Sequence, residues 1–71
     1  MRVFLADDKV EVRSALRLLL EQDMGMTVVG EAAETGALLA RVEVACPDVV
    51  LAGRELPGMG MGELLSALRS S

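Results

Sequence analysis

The chain reads as an α/β protein of order β-α-β-α-β-α, a parallel sheet with helices on both faces and therefore three layers. Three observations predict this. Short apolar runs, too brief for helices, alternate with segments whose apolar residues recur every three or four positions. Four of the five changes of period fall at a turn former or a charged pair: Asp7-Asp8, Gly25, Pro47 and the loop from Gly53 to Met61. Strands that alternate with helices in this way join by right-handed crossovers, which makes the sheet parallel and puts the helices on its faces.

Arg2 to Ala6 is the first strand, closed by Asp7-Asp8. Val12, Ala15, Leu16, Leu19 and Leu20 then form one stripe, with Glu11, Arg13, Ser14, Arg17 and Glu21 on the other side, giving an amphipathic helix to about Gln22 or Asp23. Gly25 stops it. Thr27-Val28-Val29-Gly30 is β-branched and apolar and makes the second strand, followed by a mixed segment from Glu31 to Gly36. Leu38, Val42 and Ala45 carry the second helix, which ends before Pro47. Asp48 to Ala52 is the third strand, and Leu64, Leu65 and Leu68 define a short last helix from Gly62.

With 71 residues the chain is one domain at most and buries only about 60% of the surface it exposes when unfolded. At 52% hydrophobic and 25% charged residues it is too apolar for a disordered tail, and with Phe4 its only aromatic ring the core is aliphatic. Such a core in so short a chain leaves apolar surface for a partner, a second copy included. A net charge of −4 without a basic cluster argues against nucleic acid as a partner of this chain. Cys46 is the lone cysteine and reads as a small buried hydrophobe near a helix end; with no signal peptide and no long apolar run, the cytoplasm is expected and a membrane partner is not.

The strand ends carry the chemistry. In an open parallel sheet, ligands collect at the carboxyl ends of the strands. The first strand delivers Asp7-Asp8 there, while the third delivers Gly53, which has no side chain to take a proton, a metal or a phosphoryl group.

Four pieces in order resemble the receiver domain of bacterial two-component response regulators. They are Asp7-Asp8 after a strand with Arg13 in the next helix, Val28-Val29-Gly30-Glu31-Ala32, Pro47-Asp48-Val49-Val50-Leu51, and Leu56-Pro57-Gly58-Met59. The resemblance runs from Arg2 to about Leu68 and is greatest to the subgroup whose receivers precede a helix-turn-helix output domain. It implies a flavodoxin-like (CheY-like) fold of strand order 2-1-3-4-5. Residues 1–71 would then be a single truncated receiver-like domain, strands 2-1-3 only, open to completion by dimerisation.

The resemblance also implies a switch, in which the acidic pair holds Mg²⁺ and an aspartate four residues before the turn proline accepts a phosphoryl group from a histidine kinase. The chemistry is coherent, because a carboxylate nucleophile needs a hard cation to neutralise phosphoryl oxygens. Four residues before Pro57 stands Gly53. The later strand-helix units, with the Ser or Thr and the Lys that read the phosphoryl group, are also absent from these residues. The expected function is therefore a phosphorylation-incompetent, receiver-like module of phosphorelay signalling that acts through protein-protein contact, and not an enzyme, since the chain has no His and no nucleophile-base pair.

Two other functions remain open. The chain can be a fragment or variant of a working response regulator with a DNA-binding output domain, or a small anion or nucleotide binder that uses Gly58 to Gly62 at a helix N-terminus. The second lacks the Gly-x-Gly-x-x-Gly spacing and a following Lys. No cofactor is required. A residual, weak Mg²⁺ site would use Asp7, Asp8 and the carbonyl of Glu55; against it, Asp8 is expected to cap the first helix with Glu11 three residues on, and Lys9 or Arg54 can neutralise the pair. Truncation would leave Val49, Val50 and Leu51 on an open edge, the expected interface of a homodimer.

Overall fold

The computed structural model describes residues 1–53 and 55–69. Strands β1 (Arg2–Ala6), β2 (Thr27–Ala32) and β3 (Val49–Ala52) alternate with helices α1 (Val10–Leu18), α2 (Thr35–Ala45) and α3 (Met61–Arg69). They form one parallel sheet in the order β2-β1-β3. The expected α/β order and strands 2-1-3 are found.

The central strand is the most buried. Val3, Phe4, Leu5 and Ala6 are almost wholly enclosed, and their side chains alternate between two cores. Phe4 and Ala6 face α2 and α3 and pack with Ala32, Leu38, Val42, Leu56 and Leu64. Val3 and Leu5 face the other way, toward Leu20 and Val28, with Leu16 and Met26 half-buried beside them. Full burial of a side chain such as Leu38 or Leu64 stabilises the fold by about 1.5–3 kcal/mol.

Two close approaches set details of this packing. The Phe4 ring lies over Gly30, where an added Cβ would come within 2.5 Å of the ring, and the β1–β2 register shifts between Val3 and Phe4 at the same level. A larger residue at 30 would push the only ring out of the core. At the end of α2, Cys46 is exposed and not buried as expected: it adopts a left-handed φ of 47° before Pro47, and the Arg2 guanidinium donates to the carbonyls of Ala45 and Cys46. That cation sits where the helix leaves its last carbonyls unpaired.

The first helix departs from expectation in three ways. After Leu18 it runs on as a π-helical turn, Leu19–Asp23. No residue of Val10–Leu18 is buried, and Val12, Ala15 and Leu19 of the apolar stripe are exposed. Arg13, expected on the polar side, is half-buried instead. β2 also continues past Gly30 to Ala32. The exposed stripe follows from the packing of α1 over β1, so that only part of the stripe meets the sheet.

Candidate functional site

The carboxyl ends of β1 and β3 meet in a cleft of about 300 Å³ lined by Asp7, Asp8, Lys9, Val12, Gly53, Glu55 and Leu56. The fold thus brings the acidic pair, the glycine and Glu55 to one place. β1 sets Asp7 through a hydrogen bond from its N–H to the Ala32 carbonyl at 3.0 Å, and Gly53 N–H donates to the Ala6 carbonyl at 2.8 Å. Arg54 lies outside the described residues.

Asp7, not Asp8, bonds the backbone just before α1. Its Oδ1 accepts the Lys9 N–H at 2.9 Å, whereas the residue flanking α1 is Lys9 and has no side-chain cap. Side-chain oxygens that bond a backbone N–H two residues on form a turn that starts a helix. The expected Asp8–Glu11 capping box is therefore not formed. Asp8 is exposed at the rim of the cleft, as are Lys9 and Glu55.

The other carboxylate oxygen of Asp7 occupies the space beside Gly53. A Cβ built on Gly53 would stand 2.6 Å from Asp7 Oδ2 and 3.3 Å from its Cγ. Any side chain at 53 would have to displace Asp7. Among the described residues no group of three or more His, Cys, Asp or Glu is placed to hold a metal ion. Receiver domains bind Mg²⁺ at their phosphorylation site; Mg²⁺ demands near-octahedral oxygen ligation from carboxylates, waters and substrate oxygens. With Asp7 Oδ1 committed to a turn and no side chain at 53, the donors present do not make a complete centre.

Two residues outside the expected set shape the site. Arg13 donates through NH1 to the Asp7 carbonyl and through Nε to Glu31 Oε1 at 3.1 Å, so α1 is tied to the ends of β1 and β2. Arg17 NH1 reaches the second oxygen of Glu31 at 2.6 Å, and Arg17 Nε lies 3.4 Å from Glu21. The hydrogen bond to Glu31, with the Glu21 charge second, raises the already high pKa of Arg17. The sequence shows Arg17 four positions before Glu21 and no acid at helical spacing from Arg13, and nothing in that pattern tells which cation turns inward.

Thr35 is the second. It is the one buried polar side chain among the described residues, and its Oγ1 accepts the Met59 N–H at 2.9 Å while its own N–H donates to the Pro57 carbonyl at 3.0 Å. Gly58, at φ 110°, passes so close that any Cβ there would collide with Oγ1. The β3–α3 loop is thereby stapled to the start of α2, holding Leu56 in the core and Glu55 at the cleft. Met59 N–H is consequently taken and is not free for a ligand. Gly60 precedes α3, and its carbonyl accepts the Leu64 N–H at 3.0 Å.

Val49, Val50 and Leu51 do not share a surface. Val50 packs, half-buried, on the α2–α3 core, while Val49 and Leu51 are 36% and 41% exposed on the α1 side. All three nevertheless lie on a strand paired only along one edge among the described residues.

Comparison with known proteins agrees with this geometry. A family model described as the response regulator receiver domain matches residues 3–71. The chain is 44% identical over 57 residues to the DNA-binding transcriptional activator DevR/DosR of Mycobacterium tuberculosis, covering 80% of this chain and 26% of that protein. It is 39% identical over 71 residues to a protein-glutamate methylesterase/protein-glutamine glutaminase of Cereibacter sphaeroides, covering 99% of this chain and 20% of that one. Among solved structures, the receiver domain of the NarL response regulator of M. tuberculosis superposes with a TM-score of 0.87 at 33% identity, over 97% of this chain and 56% of that chain. The response regulator domain of Thermotoga maritima CheB superposes with a TM-score of 0.88 at 26% identity, over 99% and 52%. The chain thus spans about a quarter or less of the curated relatives and about half of the solved receivers. By the match over nearly its full length and by its fold, this chain belongs to the response regulator receiver domain family of two-component signalling.

Proposed function

We propose that residues 1–71 act as one receiver-like module that signals through protein contact and not through aspartyl phosphorylation. The observation that carries this reading is the pairing of Gly53 with Asp7. The end of β3 offers no carboxylate, and the space beside Gly53 is occupied by an Asp7 oxygen 2.6 Å from where a Cβ would stand. Gly53 stands at the acceptor position, and a phosphoryl group has no nucleophile there to join. Mg²⁺ binding at Asp7, Asp8 and the Glu55 carbonyl is weak or absent for the same reason. The module works in the cytoplasm, does not bind nucleic acid by itself, and meets a protein partner, a second copy of itself being the simplest.

Incubation with a small phosphodonor and Mg²⁺, followed by intact-mass measurement, is expected to give no stable gain of a phosphoryl group. A stoichiometric gain lost on Asp7→Asn would overturn the reading.

A second reading is supported by the coverage. A chain that spans a quarter of a DNA-binding transcriptional activator is also what the receiver part of a longer response regulator would look like. A reading frame that continues past Ser71 into further strand-helix units would favour it. No observation favours the anion-binding reading, since the Met59 N–H is already bonded to Thr35.

A further inference from the structure

We infer that residues 55–60 open and close as one latched segment, with Thr35 as the latch, while the sheet and the helices stay folded. The open state turns Leu56 out of the core and widens the cleft beside Glu55. The device uses no acceptor at position 53 and so does not depend on how the chain as a whole is read.

The first ground is how the segment is held. Glu55, Pro57, Gly58, Met59 and Gly60 are exposed, and within the segment Leu56 alone enters the core, at 7% exposure. Among the described residues, the hydrogen bonds that tie the segment to α2 converge on one residue. Thr35 N–H donates to the Pro57 carbonyl, and Thr35 Oγ1 accepts the Met59 N–H. Between these two bonds Gly58 passes against Oγ1, where any Cβ would collide. A loop seated this closely on one side chain cannot slide along it, so the two bonds break together.

The second ground is that α2 stands without the segment. A helix leaves its first N–H groups without partners inside the helix. Here the Glu34 carboxylate accepts the Gly36 N–H at 3.1 Å and also the Ala37 N–H, while the Glu34 carbonyl accepts the Leu38 N–H at 3.1 Å. Thr35 N–H is the one that the loop serves, and water replaces the Pro57 carbonyl once the segment lifts. The start of α2 is therefore satisfied in both states. Exposed segments with few buried contacts open locally, at a lower free energy than global unfolding.

Leu56 undergoes the largest change of surroundings. It belongs to the core of Phe4, Leu38 and Leu64, yet its neighbour Pro57 carries the carbonyl bonded to Thr35. The proline ring stiffens that backbone, so Leu56 follows Pro57 when the bond breaks. Opening withdraws Glu55 and Leu56 from the cleft they line with Asp7, Asp8 and Lys9. An apolar anchor is thereby offered to a partner in one state and withheld in the other, and the change needs no phosphoryl group.

Native-state hydrogen exchange on the 71-residue chain tests this. The Thr35 and Met59 amides are expected to share one protection factor, at least about tenfold below those of Val42 and Leu5, with little dependence on low urea, as local opening requires. Thr35→Val should speed both amides about tenfold, although the N–H at position 35 keeps its own acceptor. Thr35→Ser retains the hydroxyl and should leave both near the wild-type rate. In a Cys46→Ser background, Leu56→Cys should react with a thiol reagent at the rate set by the same opening. Acceleration of Met59 alone in Thr35→Val would reduce Thr35 to a fixed contact and overturn the inference. Wild-type protection of both amides equal to that of Val42, or a thiol at position 56 that reacts only through global unfolding, overturns it as well.

Discussion

The two faces of the sheet are built from the same three strands and end in different states. On the α2–α3 face the core closes: Phe4, Ala6, Leu38, Leu56 and Leu64 are buried, and Val50 and Ala52 of β3 pack against them. On the α1 face the core stops at β1, with Val3, Leu5, Leu20 and Val28 buried while Val49 and Leu51 stay open. Alternate residues of one strand thus have opposite fates. Hydrophobic character is the same on both sides; what differs is whether a helix reaches over β3.

The sharpest test compares leucines. Leu38→Ala on the closed face should destabilise the chain by about 2–5 kcal/mol, through lost transfer energy and an unfilled cavity. In so small a domain that approaches the whole folding free energy. Leu19→Ala on the open face, at a protein concentration low enough to keep the chain monomeric, should stay within about 0.5 kcal/mol. Urea midpoints decide between them, and equal losses would mean that the α1 face is closed as well.

Thr35→Val comes next in size. It keeps the shape of the side chain but removes the acceptor for the Met59 N–H, and leaving such a partner unpaired costs about 1–3 kcal/mol. Faster proteolysis within residues 55–60 than at the end of α1 would show that the staple, and not general stability, was lost. The smallest effect is expected from Arg17→Ala, which removes two surface ion pairs, to Glu31 and Glu21, each worth at most about 1 kcal/mol. Its cost should shrink with added salt. A salt-independent loss would indicate that Arg17 packs against the α1 face more closely than its exposure implies.

Much of this was legible beforehand. Periodicity placed every element within a few residues, because strands and helices bury side chains at different spacings. Asp7-Asp8 and Gly53 were correctly assigned to one end of the sheet by their positions after apolar strands. Which aspartate bonds the backbone just before α1 was not legible: adjacent identical residues differ only in backbone direction, and that is set where β1 ends against Ala32. The contacts of Arg13, and Thr35 altogether, were missed for a related reason. Each is defined by a partner distant in sequence, Glu31 for one and Met59 for the other.

The residues alone determined the order of elements, the parallel sheet and the missing carboxylate at position 53, since all three follow from local spacing and side-chain chemistry. Tertiary structure decided that Asp7 fills the space beside Gly53, that Thr35 holds the loop, and that β3 hides one side and shows the other. These depend on how elements far apart in the chain come together, which no local pattern encodes.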